Sequence, residues 1–148
     1  MNTHLDDARE ELKRADHLIY VSLKYTRTVD VIKNIIERLI SAFDFGFQAL
    51  LEHQRRKRKN KDIPKTPSLR AEALREGADT ELVEYINFYL LLRKVSRASF
   101  TRSREFRRHV KMTAILENDV VIDITIDTIT EYYHRVKKFA EYVQQHAT

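Results

Sequence analysis

Two glycines and two prolines are all that punctuate this chain of 148 residues. A turn-rich β fold needs a breaker near most strand ends, so such a sparse supply favours long helices. The apolar residues agree. Leu5, Ala8, Leu12, Ala15, Ile19 and Ser22 recur at spacings of three and four, one narrow stripe on a helix from 3 to about 25. Asp6, Asp7, Glu10 and Glu11 crowd its first turns, where acids favour the helix dipole. A second helix begins near Thr28, with Thr28 or Asp30 as its cap. Its stripe of Val29, Ile32, Ile36, Leu39, Phe43 and Leu50 is widened by Ile35, Ile40, Phe47 and Leu51, enough for two neighbours. Gly46 inside it permits a close helix crossing or a kink, or is simply a tolerated glycine. Pro64 and Pro67 then break the helix and make a flexible loop over 60–67.

A short helix over 68–76 stops at Gly77. Asp79 or Thr80 caps a third long helix that is apolar all round between Leu82 and Leu92, which predicts a place in the middle of the bundle with Tyr85, Phe88 and Tyr89 in the core. The period then changes to two. Val110, Met112, Ala114 and Leu116 alternate with His109, Lys111 and Thr113, and Ile122, Ile124 and Ile126 alternate with Asp123, Thr125 and Asp127. With Glu117-Asn118-Asp119 between them, this spells a β-hairpin over about 106–126. A three-residue loop sets Thr113 opposite Asp123, Lys111 opposite Thr125 and His109 opposite Asp127; a one-residue slip would exchange the two faces. Thr128 or Thr130 caps the last helix, whose stripe is Ile129, Tyr132, Tyr133, Val136, Phe139, Ala140 and Val143. The expected fold is mainly α: a single domain over 1–148, a four-long-helix bundle with one short helix and a β-hairpin before the last helix.

Charge is segregated. Stretches 53–61 and 93–111 hold 14 of the 27 basic residues and one of the 22 acids, which leaves the rest of the chain at −8 although the whole is +5. Positive charge gathered this way points to a polyanion, and at this density to a phosphate backbone. The candidate phosphate ligands are Arg55, Arg56, Lys57, Arg58 and Lys59 in the first stretch, and Arg93, Lys94, Arg97, Arg107, Arg108 and Lys111 in the second. Other chemistries are poorly supported. The two glycines stand 31 residues apart, so there is no Gly-rich phosphate loop. Cysteine is absent, and the histidines lack companions at metal spacings, so no metal or other cofactor is expected. An acidic amphipathic start and the lack of a long uncharged apolar run predict a cytoplasmic protein without a signal peptide or membrane span.

Residues 15–43 (ADHLIYVSLKYTRTVDVIKNIIERLISAF), 86–94 (INFYLLLRK) and 104–110 (REFRRHV) together resemble small archaeal helical proteins related to the HEPN superfamily. The resemblance implies a helical bundle, often a homodimer, and in many members a metal-independent ribonuclease. The superfamily hallmark is an arginine followed a few residues later by a histidine; here Arg104 stands five positions before His109 and Arg102 seven before it. It implies that His109 acts as general base or acid while a ribose 2′-hydroxyl attacks the adjacent phosphorus, and that Arg104 and Arg102 stabilise the developing charge. A nucleotidyltransferase-type protein partner is implied as well. The residues alone leave two readings open: RNA or other nucleic-acid binding through the basic segments, or a non-catalytic protein-interaction and dimerisation module.

Overall fold

The wide apolar face between Val29 and Leu51 becomes the centre of the molecule. A computed structural model describes residues 3–58 and 62–147, with Arg58 by its backbone alone. Its helices are α1 (Thr3–His17), α2 (Val29–Arg58), α3 (Pro67–Arg75), α4 (Thr80–Arg97) and α5 (Ile126–His146), and its strands β1 (Ser99–Ser103), β2 (Lys111–Ile115) and β3 (Val121–Thr125). α1 continues through a π-helical stretch, Leu18–Ser22, and a last turn, Leu23–Tyr25. The expected four-helix bundle is too simple a description. Five helices are present among the described residues, and α3 packs its buried Ala71 and Leu74 against α2 and α4. Nor is α4 the central helix that its all-round apolarity predicted; α2 is the one that touches all the others. Among the described residues no helix is long and apolar enough to cross a membrane.

α1 and α4 both run antiparallel to α2. Glu11 Oε2 lies 3.2 Å from Arg38 Nη1 on one side, and Tyr89 donates to Asp44 Oδ1 at 2.6 Å on the other. α5 completes the wall, Tyr133 donating to Asp16 of α1 at 2.8 Å. The shared core is aromatic: Phe43, Phe47, Tyr89 and Phe139 are all buried, with Phe43 and Phe139 centroids 4.6 Å apart. Gly46 faces this cluster. A Cβ there would stand 2.3 Å from Phe139 Cε2, so the glycine serves a close helix crossing, and α2 runs through it unbroken.

Local signals set most of the helix ends. Thr66 caps α3 through Leu69 N, with Pro67 in its first turn, and Gly77 follows it at φ +76°. Asp79 caps α4, accepting from Leu82 N at 2.8 Å. The last helix differs from expectation: Thr125 caps it through Thr128 N at 3.2 Å, and Thr130 donates to the Ile126 carbonyl, so neither Thr128 nor Thr130 is the cap. Of the loop expected over 60–67, residues 60 and 61 lie outside the described residues, 62–66 form neither helix nor strand, and Pro67 already belongs to α3.

The hairpin register is the expected one, Thr113 pairing with Asp123 and Lys111 with Thr125. Leu116 N donates to Val120 O at 2.7 Å to close the three-residue loop. The hairpin is only part of a three-stranded antiparallel sheet, in which β1 pairs with β2, Phe100 opposite Ala114 and Arg102 opposite Met112. His109 therefore has no cross-strand partner: β2 opens two residues later at Lys111, and Asp127 lies in α5.

Candidate nucleic-acid interface

β1 cuts the basic stretch 93–111 in two. Arg93, Lys94 and Arg97 lie on the last turns of α4, whereas Arg104, Arg107, Arg108 and His109 lie in the loop joining β1 to β2. At about 3.4 Å per residue, the sheet holds these groups on the order of 15 Å apart, at opposite ends. Arg55, Arg56 and Lys57 are farther still. They sit near the end of α2, about 40 Å from Val29 at 1.5 Å per residue, so the two basic segments do not converge. Burial, aided by the charges of Lys57 and Arg56, pushes the His53 imidazole below its usual range, and Arg55 stands 3.8 Å from Glu52. The Arg58 side chain and Lys59 lie outside the described residues.

The β1–β2 loop is built around its one acid. Glu105 Oε2 accepts from Val29 N at 3.0 Å, the first amide of α2, one of those a helix start leaves unpaired. Thr28 Oγ1 accepts from Val31 N beside it. Phe106 N donates to the Arg27 carbonyl at 2.6 Å, and two turns, Arg107 N to Arg104 O and Val110 N to Arg107 O, carry the chain onward. Buried Val110 then re-enters the core. Arg104 (φ 55°) and Phe106 (φ 65°) flank Glu105 in the left-handed region, where a non-glycine residue costs on the order of 1 kcal/mol. That backbone turns Glu105 toward α2 and leaves Arg104, Phe106, Arg107, Arg108 and His109 exposed.

Arg102 has a different place. Cross-strand neighbours share a face, so pairing with buried Met112 puts Arg102 on the same face of the sheet, at its exposed margin. There its Nη2 stands 2.9 Å from Asp30 Oδ1 and its Nη1 3.7 Å from Glu105 Oε2. Its guanidinium also lies over the Phe100 ring, which Lys33 meets at 4.6 Å. Arg102 is committed to holding the loop on α2.

The remaining loop cations are not committed. Among the described residues Arg104, Arg107 and Arg108 have no carboxylate partner and no hydrogen bond holds the His109 ring, whereas Lys111 approaches Asp123 at 3.8 Å. Arg27 and Tyr25, which no sequence pattern singles out, lie on the segment that anchors this loop. Arg27, whose carbonyl anchors Phe106, has its Nε enclosed without a hydrogen-bond acceptor. Tyr25, two positions earlier, is 79% exposed and Phe106 is 73% exposed, the two largest values among the large hydrophobic side chains. No family model matches the chain, and neither does any curated protein or solved structure.

At the other end of the sheet, Arg93, Lys94 and Arg97 form one wall of a groove of about 740 Å³ between α4, the hairpin tip and the start of α3. Arg93 is partly held, its Nη1 donating to Tyr89 Oη at 3.3 Å. Among the described residues no cluster of three or more His, Asp or Glu side chains is placed to hold a metal ion.

Proposed function

We propose that the protein binds single-stranded RNA at the end formed by the β1–β2 loop and the chain entering α2. The observation that carries this is the setting of Phe106: a highly exposed ring in sequence between Arg104 and the Arg107–Arg108 pair, cations with no carboxylate partner among the described residues, on a loop anchored to the Arg27 carbonyl two residues after the comparably exposed Tyr25. Single-strand binders combine cations that follow the phosphates with rings on which bases stack.

The HEPN-like reading extends this to metal-independent cleavage, with His109 as general base or acid and Arg104 stabilising the phosphorane charge. Arg102 then positions the loop rather than touching phosphate. One histidine supplies one proton-transfer group, so this form of the function takes the second from a symmetry mate in a homodimer or from an arginine-held water. A nucleotidyltransferase-type partner belongs to the same reading. The alternative, a non-catalytic interaction module, draws support from the groove beside α4.

Fluorescence anisotropy with a short labelled single-stranded RNA, in EDTA, tests the proposal. Affinity falls with salt at a log–log slope of about −2 for three phosphate contacts, and Arg107→Ala with Arg108→Ala flattens it by about 1.4. Phe106→Ala weakens binding by about 1–3 kcal/mol, roughly 5- to 150-fold. Loop variants that bind as tightly as the parent protein refute it. A cyclic-phosphate product that His109→Ala abolishes while binding persists establishes the nuclease; uncleaved RNA in both leaves a binding protein.

A further inference from the structure

α4 is apolar on more sides than the molecule covers. Its Leu90 and Leu91 are only partly buried, and with Leu116, Ile115 and Val120 of the hairpin they make an aliphatic floor for the 740 Å³ groove. Ile115 and Val120 are 41% and 51% exposed. The sequence pattern of a central helix thus belongs to a lateral one whose outer face is only partly covered, by the hairpin tip and the start of α3. We propose that this groove, a site separate from the RNA-binding loop, takes an acidic amphipathic helix of a partner protein.

The charges on the rim select that occupant. Arg93, Lys94 and Arg97 stand at i, i+1 and i+4 on α4, so their row is about 6 Å long at 1.5 Å per residue. Lys94 and Arg97 are exposed and have no carboxylate partner among the described residues, while Arg93 is steadied over the Tyr89 ring. Glu117 is the one acid lining the groove. A ligand with a single anionic head would match one of the three cations. A helix with glutamates four apart presents carboxylates at the same spacing of about 6 Å, while its leucines reach the floor. Nucleic acid has the anions but no aliphatic groups for that floor, and none of the lining residues is aromatic, so no ring is there to stack a base. The volume lies within the range of about 300–1,000 Å³ usual for ligand pockets.

The test uses a fluorescein-labelled synthetic helical peptide with leucines at i, i+3, i+4 and i+7 and glutamates four apart alongside them. Two control peptides carry glutamine for glutamate or serine for leucine. The full chain binds the acidic peptide saturably, and each control binds at least about tenfold more weakly. The charge reversals Lys94→Glu and Arg97→Glu together, and separately Val120→Asp, produce losses of the same size. Circular dichroism shows that both variants are folded, and Val120→Asp retains the RNA affinity of the parent. Absence of binding overturns the proposal, as does binding that Val120→Asp leaves intact. Groove variants that weaken RNA and spare the peptide overturn it as well, and assign the groove to nucleic acid.

Discussion

Replacing Gly46 with alanine asks whether the crossing of α2 and α5 is as close as the structure has it. A Cβ at this position stands 2.3 Å from Phe139 Cε2 and 2.8 Å from Cζ, against a carbon–carbon optimum of about 3.5–4.0 Å. The ring must therefore retreat by more than about 1 Å. It has little room, because Phe43, Phe47 and Tyr85 surround it at centroid distances of 4.6, 5.2 and 5.3 Å. Overpacking of this kind costs about 1–3 kcal/mol, and the tight cage argues for the upper part of that range. Alanine recovers about 0.5–1 kcal/mol of helix propensity. The net loss is about 2 kcal/mol, or on the order of 4–8 °C in Tm for a domain of this size. Urea denaturation followed by far-ultraviolet circular dichroism measures it. Combining Gly46→Ala with Phe139→Leu removes the clashing ring edge, so the double variant loses less than the two single variants added together. A Gly46→Ala protein that gains stability, as propensity alone requires, or strict additivity in the cycle, refutes the close crossing.

Two further outcomes are expected. Glu105→Ala strips the carboxylate from Val29 N and from Arg102, lowering stability by about 1–2 kcal/mol and speeding hydrogen exchange at the Val29 and Phe106 amides; unchanged exchange at both would show that the loop does not depend on it. Burial raises the pKa of Tyr85, Tyr89, Tyr132, Tyr133 and Tyr142 above the ordinary 10.0, with hydrogen bonds to Glu81, Asp44, Asp16 and Asp79 adding to it for Tyr85, Tyr89, Tyr133 and Tyr142 respectively. Because the folded values lie above the unfolded one, this contribution to stability is complete below pH 10 and is lost as pH rises through the folded values, about 12 for Tyr85. In an alkaline titration, tyrosinate absorbance from these residues should lag and appear together with the loss of helical circular dichroism. Full ionisation near pH 10 with the helices intact would count against these buried pairs.

What was legible in the sequence was what neighbours in the chain decide. Spacing alone marked α1 and α2, Gly77 and Asp79 marked the end of α3 and the start of α4, and the faces of the hairpin chose its register. β1 was hidden because one of its two inward positions is Arg102, whose counter-charge Asp30 is far away in the chain; a strand whose core face carries a cation does not alternate visibly. The cap Thr125 is masked in the sequence because Ile126 prolongs the alternation of Ile122 and Ile124 into the helix. The place of α4 does not follow from its pattern, because hydrophobic periodicity counts the apolar sides of a helix and not the neighbours available to cover them. Of the proposed site, the loop cations stand out in composition. Arg27 does not, since the loop docks there through a backbone carbonyl, a group that every residue carries.

On the proposed reading, Glu105 decides which part of this end RNA can use. Among eight basic residues it looks like mere dilution of charge. In the fold it occupies the start of α2, where orphan amides and the helix dipole would otherwise favour an anion, and it shares Arg102 with Asp30. A phosphate seeking that position must displace a carboxylate tethered to the same chain, which competes at an effective concentration in the millimolar range or above. The groups left to a ligand are therefore the outward ones: Arg104, Arg107 and Arg108 with Phe106 between them. This is why the expected salt slope is that of about three contacts rather than eight. It also explains why the charge density of the stretch, taken from the sequence alone, overstates the number of cations available for binding.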